Sequence, residues 1–133
     1  MSEPSLALQG AIVSALKAVA GLNGRIYDRP PDNVTFPYVT VGDDQVIGDH
    51  ADCLLESVEV FARVHAWSRA VGKPEVKKIV GDVVRTLNGA DLSLAPDYAL
   101  VNLEHDSTQY LDDPTDPLMS HAVVTFHALI DEA

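Results

Sequence analysis

VEVFARVHAWSRAVGKPEVKKIVGDVV, Val58–Val84, changes its hydrophobic period halfway along. In its first half Val58, Val60, Ala62, Val64 and Ala66 recur at every second position, the spacing that places side chains on one side of a strand. After Gly72-Lys73-Pro74 the apolar residues Val76, Ile79, Val80, Val83, Val84 and then Leu87 recur at steps of three and four, which is the stripe of an amphipathic helix. Pro74 suits a first helical turn, Glu75 sits near the positive end of the helix dipole, and Asn88-Gly89 supplies the stop. The segment therefore reads as a strand, Leu54–Trp67, handed over to a helix that begins near Lys73.

The rest of the chain falls into place around this pair. EPSLALQGAIVSALKAVAGL carries Leu8, Ile12, Leu16 and Val19 on one stripe with Val13 alongside, a helix with Ser2 as its expected N-cap and Gly21 as its end. A short RIYD and the rigid Pro30-Pro31 lead into FPYVTVGDD, Phe36–Asp44, which is aromatic and β-branched and reads as a strand that stops at Gly42. Asp43 to Asp52 is rich in aspartate and glycine, so a solvated turn or hairpin tip is expected there. YALVNLEH (Tyr98–His105) is a further strand, LDDPTDP (Leu111–Pro117) a turn, and SHAVVTFHALI (Ser120–Ile130) a last strand. That strand has Ala122, Val124, Phe126, Ala128 and Ile130 on one side. The order α-β-β-β-α-β-β predicts an α+β domain over residues 1–133: a largely antiparallel sheet of four to five strands with two helices packed on one face.

Composition narrows the function. The chain has 133 residues, 20 carboxylates against 9 lysines and arginines, and a formal net charge of −11. Tight binding to nucleic acid is excluded on those numbers, because phosphate affinity comes from cations that release counterions. The charge serves solubility, or a surface that nucleic acid passes without sticking. The single cysteine, Cys53, permits no internal disulfide, and no apolar run approaches the roughly 20 residues a membrane span needs. Glu3 stands where a signal peptide would carry positive charge, so the expectation is a soluble protein kept inside a cell or inside a particle assembled there.

The chemical motifs dissolve on inspection. Gly72-Lys73 lacks the earlier glycine and the following Ser or Thr of a phosphate loop, having Trp67 and Pro74 there, and the proline removes a needed N–H. His65, His121 and His127 share the non-core side of their strands, but neither HExxH nor CxxC spacing exists, so hydrogen-bonded neighbours are expected and no metal. Cys53 lies among Asp49, Asp52 and Glu56, which disfavours a thiolate nucleophile. Asp43-Asp44 and Asp112-Asp113 are read as turn formers ahead of acid–base pairs. No catalytic residue and no cofactor is assigned.

What remains is apolar surface in an unexpected place. Phe61 and Trp67 face away from the core side of the long strand, and Val123 and Leu129 do so on the last. Such residues on the second side of a one-layer sheet need a cover, and another subunit is the expected one.

The order of Gly24-Arg25-Ile26-Tyr27, Phe36-Pro37-Tyr38-Val39 and His65-Ala66-Trp67-Ser68-Arg69 resembles the tail completion, or tail terminator, proteins of long-tailed bacteriophages and gene transfer agents. The likeness runs from the first helix to the final strand. It implies a structural virion subunit that forms a ring, a hexamer, stops tail-tube polymerisation and presents a platform to the head connector. Its partners would be copies of itself, the tail tube protein and the head–tail connector or adaptor protein, at the head–tail junction of a particle assembled in the bacterial cytoplasm. DNA would pass through the ring without being held, and no membrane is involved. On this reading Phe61, Trp67, Val123 and Leu129 are candidate subunit contacts. Asp43, Asp44 and Asp49 of the acidic tip, with Asp112 and Asp113 of the later turn, are candidate contacts to tube or connector. A head completion or adaptor protein is the nearest alternative, and a small α+β enzyme or ligand-binding domain the alternative of another class.

Overall fold

The computed structural model describes residues 3–48 and 57–132. Helix α1 (Pro4–Leu16) is followed by a single 3-10 turn (Ala20–Leu22), β1 (Ile26–Tyr27), β2 (Tyr38–Gly48), β3 (Ser57–Ser68), α2 (Pro74–Leu87), β4 (Tyr98–Asp112) and β5 (Ser120–Glu132). The strands form one sheet in the order β1-β2-β3-β5-β4, antiparallel throughout except for the two-residue pairing of β1 with β2. The expected α+β order is the observed one.

Strand periodicity decides which side is the core. Val60, Ala62, Val64 and Ala66 of β3 are buried against Ala122, Val124, Phe126, Ala128 and Ile130 of β5, and both helices pack on this side. From α1 come Leu8, Ile12 and Leu16; from α2 come Val76, Ile79, Val80, Val83 and Leu87. Each fully buried side chain of this kind contributes about 1.5–3 kcal/mol relative to exposure, so the two stripes are what hold the helices on the sheet.

Helix ends differ in detail from the sequence reading. Glu3 caps α1, its carboxylate accepting from the Ser5 backbone N–H, whereas Ser2 lies outside the described residues. The helix stops at Leu16 instead of near Gly21, because Val19 turns extended and the 3-10 turn carries both Val19 and Leu22 into the core. Asn23 and Gly24 then take left-handed conformations, which asparagine and glycine accept most easily.

Two strands outrun their expected ends. β2 does not stop at Gly42 but bulges there and continues to Gly48, so Asp43 and Asp44 lie in a strand and not in a turn. Glycine at φ +125° is what the bulge needs, and a Cβ there would sit 2.9 Å from Asp28 Oδ1. β4 likewise runs on to Asp112 through register shifts between Leu100 and Asn102 and between His105 and Ser107. A bulge hides the two-residue period, which is why both strands read short. Asp49 to Asp52 of the expected tip, and Cys53 after it, lie outside the described residues.

Candidate interaction surface of the sheet

The second side of the sheet carries Glu59, Phe61, Arg63, His65 and Trp67 from β3 beside His121, Val123, Thr125, His127 and Leu129 from β5. All ten are half-buried, in contrast to their fully buried neighbours one position away. Register brings the four apolar candidates together in two diagonals. Phe61 pairs with His127 and Glu59 with Leu129; Trp67 pairs with His121 and His65 with Val123. Arg63 and Thr125 separate the two groups.

The Trp67 end is the more organised. The indole stacks on His121 with ring centroids 3.7 Å apart and planes 6° from parallel, and Tyr38 stacks on it at 6.1 Å. Phe36 meets Tyr38 edge-on at 5.0 Å, and the Arg69 guanidinium lies 5.0 Å from the Phe36 ring centre. Arg69 in turn is held by Asp116, and Arg25 Nε donates to the Pro37 carbonyl at 2.7 Å. The result is a continuous aromatic row across β2, β3 and β5. Trp67 is thereby more enclosed than an outward residue of a bare sheet, and its Nε1–H finds no acceptor among the described residues.

A polar chain runs beside the row. His65 Nδ1 and His121 Nε2 are 2.8 Å apart, and His65 Nε2 is 3.1 Å from Asp43 Oδ2. The bulge at Gly42 makes this possible. Without it Asp43 would follow Val39 and Val41 onto the helix side; with it Asp43 faces His65 and Asp44 takes the helix side. Burial, and then the neighbouring His65, hold the His121 imidazole below its usual pKa. At the other end of the face His127 Nε2 is 3.5 Å from Glu59, and the ring lies 5.0 Å from Phe61.

This chain has the form of a hydrogen-bonded relay. Among the described residues no group of three His, Cys, Asp or Glu is placed to hold a metal ion. The depression beside it, about 320 Å³, is lined by Asp28, Thr40, Val41, Gly42, Asp43, His65 and Trp67.

The acidic candidates separate. Asp44 is half-buried on the helix side, its Oδ1 without a partner among the described residues, and burial pushes its carboxyl up to about 6. Asp112 ends β4 and pairs with Lys73. Asp113 accepts from the N–H and hydroxyl of Thr115 at 2.8 and 2.7 Å and from the Asp116 N–H, bonds that build the turn and hold its carboxyl below the usual range. Lys73 and Gly72 bind within the chain too: the Gly72 carbonyl accepts from the Ser120 hydroxyl at 3.3 Å. Sequence reasoning placed His65 and His121 on one side but read Asp43 as a turn residue, not as their neighbour; the signal for its true place was the lone Gly42 inside a strand pattern.

Comparison with known proteins agrees with the geometry. The chain matches, with 98% of its length and 99% of the other's, a chain of the virion of a native gene transfer agent (GTA) particle, at 25% identity and a TM-score of 0.87. No curated protein matches it. The family model of tail completion protein gp17 covers residues 10–131, which take in the second half of α1, all of α2 and all five strands but for the last residue of β5. The chain therefore belongs to the tail completion protein gp17 family.

Proposed function

We propose that this structural tail protein of a virion acts as a ring that caps the tail tube and joins it to the head connector. The whole chain is one subunit of that ring, six copies closing it, and it sits at the head–tail junction of a particle assembled in the bacterial cytoplasm. The observation that carries the reading is the second side of the sheet. It combines family membership with a half-buried row in which Phe61, Trp67, Val123 and Leu129 stand ready for a neighbour.

The physical logic is that of an unfinished polymer. A stack of identical rings has an open heterologous interface at its growing end, and it grows until something complementary on one side only is added. A ring built by lateral contacts through the sheet leaves its two axial ends free to differ, one for the tube and one for the connector. Asp112 and Asp113 are the proposed axial contacts, whereas Asp43 faces the lateral side of the sheet and Asp44 the helices. The −11 charge would let DNA phosphates pass the ring without sticking. No catalytic residue enters the proposal.

The test is native mass of the chain alone and after mixing with tubes polymerised from the tail protein of the same particle. A ring-sized species, free or on tube ends, supports the reading. A chain that stays monomeric, leaves tube ends bare and does not halt tube growth contradicts it.

A further inference from the structure

A closed ring of more than two identical subunits is built head to tail, so the surface that meets one neighbour differs from the surface that meets the other. The second side of the sheet supplies only one of the two, and its charges show what the other has to be. Asp43, Glu59, Glu104 and Asp131 share that side by register, with Arg63 the one lysine or arginine there among the described residues of the strands. Asp106, in the β4 bulge, lines the depression beside Phe61 together with Glu104. Two such sides facing one another would bring like charges together.

The opposite layer has the complementary sign. Residues 3–24 and 73–89, which hold both helices and their ends, carry Lys17, Lys73, Lys77, Lys78 and Arg85 against Glu3, Glu75 and Asp82. That layer is positive in a chain of net charge −11. Lys73 pairs with Asp112 and Lys77 lies over the Tyr110 ring, so both lean toward β4. Lys78 and Arg85 instead border a depression of about 370 Å³ between α2 and the turn after α1, where Ala18, Ala20 and Gly21 form the other wall. Both cations are exposed, and Asp82 is held by Arg85, so the rim keeps a net positive charge.

We infer that the depression between α2 and the turn after α1 is the second half of the subunit contact and takes the Phe61 end of the sheet from the next copy. Phe61 and Leu129 supply the apolar centre against the small residues, and Glu59 and Glu104 meet Lys78 and Arg85 around it. The two halves lie on opposite sides of the sheet, which lets the contact repeat from copy to copy and keeps it from closing as a pair. The inference rests on the ring proposed above and adds the surface that its sheet side meets.

The experiment uses two charge-reversed proteins and reads native mass, alone and with polymerised tubes. One carries Lys78→Glu and Arg85→Glu, the other Glu59→Lys and Glu104→Lys. All four positions are exposed or half-buried, so each protein should melt within about 3 °C of wild type. Each alone should lose the ring-sized species by roughly tenfold or more, because every joint then faces like charges, whereas Lys78→Arg should assemble like wild type. Mixed in equal amounts, the two should recover it as an alternating ring, since every joint regains opposite charges and six copies alternate without a mismatch. A Lys78→Glu, Arg85→Glu protein that forms rings within about twofold of wild type overturns this contact, as does a mixture that recovers none. Wild-type protein that forms no ring, free or on tubes, overturns the ring itself, so the two failures are distinguishable.

Discussion

Replacing Asp44 by asparagine should stabilise the protein at neutral pH, and the structure sets the size of the effect. The carboxyl faces the helix side of β2, where burial is the main cause of its raised pKa. The Arg63 backbone N–H bonded to it opposes the rise, while the nearby Asp43 and Glu3 charges add to it. Its Oδ1 is buried and has no partner among the described residues. A rise from 3.8 to about 6 corresponds to about 3 kcal/mol at 1.36 kcal/mol per pKa unit. The side chain is only half-buried, so solvent screens part of this and about 1–2 kcal/mol is expected. The fold favours the protonated form. Asp44 therefore stabilises the fold most below pH 3.8, and that contribution fades as pH climbs from 3.8 to about 6 and is gone at pH 7.5.

Asp44→Asn mimics the protonated form at every pH. At pH 7.5 it should gain about 1–2 kcal/mol, and about half of that at pH 5, where folded Asp44 already holds most of its proton. Urea unfolding followed by the fluorescence of the single tryptophan, Trp67, measures both values. A loss of stability at pH 7.5, or an equal gain at both pH values, would refute the reasoning.

Three further outcomes follow from the geometry. Gly42→Ala should cost about 1–3 kcal/mol in the same urea assay, since alanine resists φ +125° and its Cβ would press on Asp28 and Gln9; a neutral effect would mean that the bulge relaxes freely. An NMR titration of His121 should give a midpoint below 6.5, so that its contribution to stability is lost as pH falls below 6.5 through that midpoint; a midpoint above 6.5 would contradict the packing against His65 and Trp67. Phe126→Ala should cost about 3–5 kcal/mol, because the ring is fully buried where β3, β4 and β5 meet the helices, and a cost below about 1 kcal/mol would misplace the centre of the core.

The regular parts of the chain were legible in sequence because periodicity reports burial directly. β3, α2 and β5 each present one unbroken apolar stripe, and each was read on the correct side. β2 and β4 were cut short because bulges at Gly42 and in β4 shift the alternation, and a glycine before two aspartates has the composition of a turn. The aromatic row was half visible. Parity put Trp67, His65 and His121 on one side, but the stacking of Tyr38 and Phe36 depends on the pairing of β2 with β3, which no local pattern encodes.

The bulge at Gly42 links these levels. It is a local backbone irregularity, yet it turns Asp43 toward His65 and Asp44 toward the helices, giving two adjacent aspartates opposite environments. That split explains why one carboxylate is an orienting partner for imidazole and the other a half-buried group whose carboxyl is pushed up to about 6.

The claim that copies of this chain meet through the second side of the sheet is tested most directly by hydroxyl-radical footprinting of the free protein and of the assembled particle. The account predicts that oxidation of Phe61 and Leu129 falls several-fold in the particle, with Val123 and Trp67 following. Equal oxidation of Phe61 and Leu129 in both states, with protection elsewhere on the chain, would contradict it.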